Sequence, residues 1–284
     1  MIMVGHISGT MGTVVFSPFG GTGVALFLFL SGFGINESWK KNKATKYWTK
    51  KIKRVFIPYF IIITTLALIK RHMSIYDYAL DILGIKTSYW YIGYILKWYL
   101  IFWISSKYYF SQRLLIMCIC SICFLFILPN IEAEQSFSFI AGVLVSEKAS
   151  TITEMSRKRI ICIGLIALTI GTVFLAFKQS PIIRTHIDDY IYNIVQLFIK
   201  LPYAIFIMSV VWYFPIILQS RFLLLSGAIS YELYLVHMPF YGMVNGSLLY
   251  AILLIISSIC VAKVFNIINK KICSLEITRF LKQA

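Results

Sequence analysis

Acidic side chains are scarce in this chain, 11 against 27 Lys and Arg in 284 residues, and histidine is scarcer still at four. Charged residues reach only 13%, while hydrophobic ones make up 59% at a mean hydropathy of +0.81. A water-soluble fold could not hide that much apolar surface, so the bilayer is the expected solvent. No stretch reads as a linker, because the longest polar segment is only 39–54, and no repeat or low-complexity tract is present. The chain is therefore read as a single transmembrane domain over 1–284. Met1-Ile-Met-Val-Gly lacks the basic start of a signal peptide, so the first apolar run is expected to stay in the protein. Of the six cysteines, all but Cys273 lie inside apolar runs, where a thiol packs as a small hydrophobe. Cys120-Ser-Ile-Cys123 has CxxC spacing, yet no His, acidic or basic neighbour completes a redox or zinc site.

What the chain does contain is a series of apolar runs, many with Tyr and Trp near their ends, where amphipathic rings meet lipid headgroups. A crossing takes about 20 helical residues. Division at polar clusters predicts an all-α polytopic bundle of about ten transmembrane helices. The spans are 1–16, 23–38, 55–69, 89–105, 114–129, 134–147, 160–177, 192–217, 222–242 and 247–267. The net charge of +16 fits this division better than it fits nucleic acid. Segments 39–54, 106–113, 148–159, 218–221 and the tail from Lys263 carry 20 of the basic residues and are expected inside. Both termini are then cytoplasmic. The first span contains Gly5, Gly9 and Gly12, a small-xxx-small pattern suited to close helix packing, and the sequence is expected to begin partway into that helix.

An ionisable side chain inside a span faces a bundle interior or a water-filled cavity, which singles out His6, His237, Lys97 and Glu232. A neutral imidazole at His6 suits a general base; a histidine hydrogen-bonded to a neighbouring helix is the alternative. Lys97 either snorkels to an interface or pairs within the bundle, for instance with Glu232. His186, near Asp188 and Asp189, reads as part of a solvated outer loop, and no metal is expected.

The segment Gly20-Gly-Thr-Gly-Val-Ala-Leu-Phe-Leu-Phe-Leu-Ser-Gly-Phe-Gly runs into Lys50-Lys-Ile-Lys-Arg54-Val-Phe-Ile-Pro58. Later come Trp90-Tyr-Ile with Tyr99, Phe139-Ile-Ala-Gly142-Val-Leu, and Ser230-Tyr-Glu-Leu-Tyr-Leu-Val-His237-Met-Pro239. Together with His6, this order resembles the acyltransferase-3 family. That family has a histidine in its first helix, a "GV-x-LFF-x-LSGF" helix, a basic "R-x-x-R" pair and a late "SY-x-x-YL-x-H-x-P" segment. The resemblance covers nearly the whole chain. Two departures accompany it: Lys51 stands where the pair has its first arginine, and the arginine expected upstream of the histidine would precede residue 1.

The resemblance implies a membrane O-acyltransferase. An acyl group, commonly acetyl, would pass from cytoplasmic acyl-CoA to a hydroxyl of an extracytoplasmic or lipid-linked glycan. His6 would be the catalytic base or an acyl carrier. Lys50, Lys51, Lys53 and Arg54 suit the donor's phosphates, although such a cluster also serves as a positive-inside signal. Ser31 and Gly32 are expected to line a narrow donor path and to permit close packing. Tyr231, Tyr234 and His237 are expected on the acceptor side, with a place in the interfacial aromatic belt as the alternative for the tyrosines. The expected setting is the bacterial inner membrane. The competing readings are a transporter or flippase of lipid-linked sugars, which needs no coenzyme A, and an inactive relative.

Overall fold

The computed structural model describes residues 1–13, 16–70, 74–85, 87–185 and 189–274; His186 and Asp188 lie outside them. Every regular element among the described residues is helical. The first half runs α1 (Ile2–Thr10), α2 (Ser17–Asn42), α3 (Tyr47–Lys51), a π-helical turn (Ile52–Phe56), α4 (Ile57–Lys70), α5 (Ile75–Ile82), α6 (Trp90–Tyr108) and α7 (Arg113–Ile127). The second half runs α8 (Asn130–Ala133), α9 (Ser138–Glu147), α10 (Ala149–Thr153), α11 (Arg157–Lys178), α12 (Pro181–Arg184), α13 (Tyr190–Tyr213), α14 (Arg221–Ala228), α15 (Ser230–His237) and α16 (Leu248–Ser274). Contacts divide the chain into two compact units. The first is Met1–Ile2, Phe16–Thr45 and Tyr94–Gln219; the second is Met3–Val15, Lys46–Gly93 and Ser220–Ala284.

Among the described residues, six helical stretches are long and apolar enough to cross a membrane: Pro18–Asn42, Tyr47–Ile69, Phe110–Ile127, Arg157–Lys178, Tyr190–Tyr213 and Leu248–Ile272. The other four expected spans take different forms, for physical reasons visible in their residues. Span 1–16 contains nine helical residues, α1, which end before Gly12 at φ +69°. Span 89–105 falls in α6, where Lys97 and a run of Tyr and Trp dilute the apolar surface. Span 134–147 opens on the buried polar run Glu134-Gln-Ser136, and its regular helix α9 is only ten residues long. Span 222–242 is broken at Ile229 into α14 and α15, after which comes a 3-10 turn at Tyr241–Val244.

Within the first unit, small residues let helix backbones touch, which is how helices associate where lipid removes the hydrophobic drive. A Cβ on Gly32 of α2 would fall on the Phe139 carbonyl of α9, and one on Gly142 of α9 would fall on the Phe29 carbonyl of α2. The contact is reciprocal, so α2 and α9 cross with no side chain between them. Beside it the Trp98 ring stacks on Phe139 at 5.2 Å. On the α11–α13 pair, Gly164 faces Ser209, Gly171 faces Tyr203, and Phe174 stacks on Phe198 at 4.8 Å.

Buried charges in this unit are paired, as burial requires. Lys200 of α13 bonds Glu134, and both side chains are only 10% exposed. The lysine stem runs across α2 where a Cβ at Gly21 would collide with it, and Gln135 donates to the Gly21 carbonyl at 3.0 Å. Lys97 pairs with Glu132 at 2.6 Å. Its partner is therefore Glu132 rather than Glu232. Buried Arg113 bonds Glu147, which also accepts from Asn36, and Ser146 donates to Glu37 at 2.7 Å.

Two outcomes follow for stability in detergent. Gly142→Ala forces α2 and α9 apart and should destabilise by about 1–3 kcal/mol, an overpacking penalty, read as earlier thermal aggregation. Lys200→Met strands the Glu134 carboxylate and should destabilise by about 3–5 kcal/mol, whereas Lys200→Met with Glu134→Gln should recover most of the loss. Equal melting of the single and double variants would show that the pair is not coupled.

Candidate active site

The second unit holds both described histidines. His6 sits on α1 beside Ile7, which packs with Val244 and Ala251 of the 3-10 turn and α16. That apolar contact sets the rotation of α1 and turns His6, one residue earlier, toward α15. His6 Nδ1 lies 3.2 Å from His237 Nε2, while His237 Nδ1 lies 2.8 Å from the Leu233 carbonyl one helical turn back. His237 is 1% exposed and His6 is half-buried, with the Tyr241 ring 4.9 Å away on its other side.

Proline explains the location of His237. Pro239 has no N–H for the carbonyl four residues earlier, Leu235, so the helix ends at His237 and leaves that carbonyl open. The Tyr89 hydroxyl fills the gap, donating to Leu235 at 2.7 Å in a fully buried setting. Around this bond the rings of Tyr59, Tyr89, Tyr91 and Tyr234 meet edge to face, with centroids 5.6–6.0 Å apart. Tyr234 is 6% exposed, so it is a core residue by which α15 packs on Tyr89 and Tyr91.

The other end of α15 touches the basic segment. Pro58 likewise supplies no N–H to Arg54, and just upstream the helix widens into the π turn, in which Ile57 N–H donates to the Ile52 carbonyl five residues back. The Tyr231 hydroxyl donates to the Val55 carbonyl at 2.7 Å. Tyr231 thus stands with the basic turn, one residue from Arg54, while His237 stands with His6. Arg54 is exposed, and Lys50, Lys51 and Lys53 are partly buried. Glu232, also on α15, is held by Asn269 of α16 at 3.3 Å, and Asn266 donates to the Ala228 carbonyl at 3.2 Å.

His6, His237, Tyr231, Tyr234 and Lys50 through Arg54 all belong to the second unit, whereas Ser31 and Gly32 belong to the first. Gly32 is a packing residue against α9. The signals missed in the sequence were Tyr89, Leu233 and Tyr241. Two of them had readable cues, since Leu233 lies four residues before His237 and the Leu235 carbonyl opened by Pro239 demands a donor such as Tyr89. Among the described residues no group of three or more His, Cys, Asp or Glu side chains is gathered to hold a metal.

Comparison with known proteins assigns a family to the chain. No curated protein and no solved structure matches the chain. The acyltransferase-domain model of the acyltransferase-3 family matches residues 1–268, a stretch that includes both histidines, the tyrosines around α15 and the basic turn. On that match, the chain belongs to the acyltransferase-3 family of membrane acyltransferases.

Proposed function

We infer that the protein moves an acyl group, acetyl in the simplest case, from cytoplasmic acyl-CoA to a hydroxyl of an extracytoplasmic or lipid-linked glycan. The observation that carries the reading is the division of labour along α15. Tyr231 and His237 are six residues apart, about 9 Å along a helix axis, with the basic turn at one end and the imidazole pair at the other.

Phosphates of the donor have suitable partners in Arg54, through its guanidinium fork, and in Lys50, Lys51 and Lys53 as point charges. The thioester on its flexible arm then extends toward α1. There the His6 imidazole takes the proton of the acceptor hydroxyl, the oxygen attacks the thioester carbonyl, and the C–O bond forms as the C–S bond breaks. The proton returns from His6 to the departing thiolate. Ser31 and Gly32 serve this reading through the packing of α2. The ten-segment topology with both termini cytoplasmic, in a bacterial inner membrane, is part of the same proposal: it leaves the lysine-rich turn inside, where coenzyme A thioesters are made. The expected participants are the bilayer, acyl-CoA and the glycan, with no nucleic acid and no metal.

His6→Ala should abolish glycan acylation measured by mass spectrometry while membrane expression persists, and retained acylation would reject the assignment. Arg54→Ala should raise the KM for acetyl-CoA about tenfold, the loss of one good charge-assisted contact, with labelled acetyl-CoA binding weakened in parallel. Solute movement without any coenzyme A dependence would favour a transporter instead.

A further inference from the structure

The hydrogen-bond chain Leu233–His237–His6 admits only one arrangement of protons in its neutral state. A backbone carbonyl can only accept, so His237 Nδ1, 2.8 Å from the Leu233 carbonyl, carries a proton. A neutral imidazole then has a lone pair on its other nitrogen, and His237 Nε2 is an acceptor. Facing it at 3.2 Å, His6 Nδ1 must be the donor. The lone pair of neutral His6 is thereby confined to Nε2.

We propose that His237 is a positioning residue: anchored on the Leu233 carbonyl, it fixes the tautomer and ring orientation of His6 and leaves His6 Nε2 as the reactive nitrogen. The inference rests on the reading of His6 as the base and adds what makes it one. A lone imidazole in an apolar setting divides its population between two tautomers and rotates about its side-chain torsions. Here the ring is tied at Nδ1, flanked by Tyr241 at 4.9 Å, and carried by a helix whose rotation Ile7 sets against Val244 and Ala251. His237 is itself held by the end of α15, where Tyr89 bonds the Leu235 carbonyl.

Protons balance through the cycle. His6 Nε2 accepts the hydroxyl proton, and the resulting imidazolium keeps its Nδ1 proton, whose bond to His237 Nε2 becomes charge-assisted and therefore stronger. That gain appears only as charge develops, which is the condition for it to lower a barrier. When the C–S bond breaks, the Nε2 proton passes to the thiolate and the resting tautomer is restored. His237 exchanges no proton.

The test uses the full chain in lipid nanodiscs, labelled with nitrogen-15 histidine. With only four histidines in the sequence, signals are assigned by single substitutions. In the wild type, His6 should show a protonated Nδ1 and an unprotonated Nε2. His237→Phe keeps a ring but no acceptor, and should give mixed His6 tautomers. In His237→Gln the amide oxygen can take the place of Nε2 and should restore the single tautomer. Acyl transfer from acetyl-CoA to isolated cell envelopes should follow the same order. His237→Phe should lose about 10²-fold in kcat, with little change in donor KM, and His237→Gln should recover at least tenfold of it.

The proposal is overturned if wild-type His6 is protonated at Nε2, or if its tautomer or kcat is indifferent to His237→Phe while the protein remains folded. Should His237→Phe fail to fold, His237→Gln and the wild-type tautomer still decide, because a glutamine that folds without restoring the Nδ1–H form has the same consequence. The two ideas separate cleanly. A predicted tautomer pattern without any acyl transfer removes the enzyme reading alone, and transfer that needs His6 but not His237 removes the positioning role alone.

Discussion

In hydrocarbon an unpaired backbone carbonyl costs several kcal/mol, and this chain opens such carbonyls with proline at the two places where its candidate chemistry sits. Pro239 removes the donor for Leu235, and Pro58 removes the one for Arg54 beside the π turn. The Tyr89 hydroxyl from elsewhere in the same unit satisfies Leu235, and the Tyr231 hydroxyl bonds the carbonyl of Val55, the residue after Arg54. The two bonds hold α15 by both ends. One end fixes His237, and through it His6; the other fixes the turn that bears Arg54. A short helix that is not long enough to cross a membrane therefore has a defined position because both of its ends are bonded.

The two units solve the membrane's demand for internal pairing by different means. In the first, α2 and α9 meet through the glycines Gly32 and Gly142, and charge is neutralised in pairs: Lys200 with Glu134, Arg113 with Glu147, Lys97 with Glu132. In the second, the buried layer is made of tyrosine rings, which bring large apolar area and one hydroxyl each. A buried carboxylate of this unit, Glu232, rests on the amide of Asn269.

Hydropathy made the long crossings legible, because composition over about 20 residues suffices for a helix that contacts lipid. It served poorly for 134–147 and 222–242, whose polar buried stretch and whose break at Ile229 depend on partners distant in sequence. His6, Arg54, Tyr231 and His237 could all be singled out from motif order, yet nothing in one dimension says that Tyr231 joins the basic turn while His237 joins His6. That distribution follows from six residues of helix. For Tyr234 the sequence leaves the acceptor side and the interfacial belt both open, and α15 turns its ring inward. Ser31 and Gly32 were read as partly a packing element, and for Gly32 the Phe139 carbonyl supplies the reason.

Why an imidazole rather than a carboxylate should orient the proposed base His6 follows from the same solvent. A carboxylate beside His6 would carry a full charge at rest, and a buried unpaired charge is far more expensive than a buried neutral ring. His237 supplies an acceptor with no resting charge, and its own second nitrogen is satisfied by a main-chain carbonyl of the helix that carries it. Glu232 shows that α15 can carry a buried carboxylate, yet the chain places that group five residues from His237 and bonds it to Asn269. The device asks only for a helix terminus near the base, and Pro239 creates one.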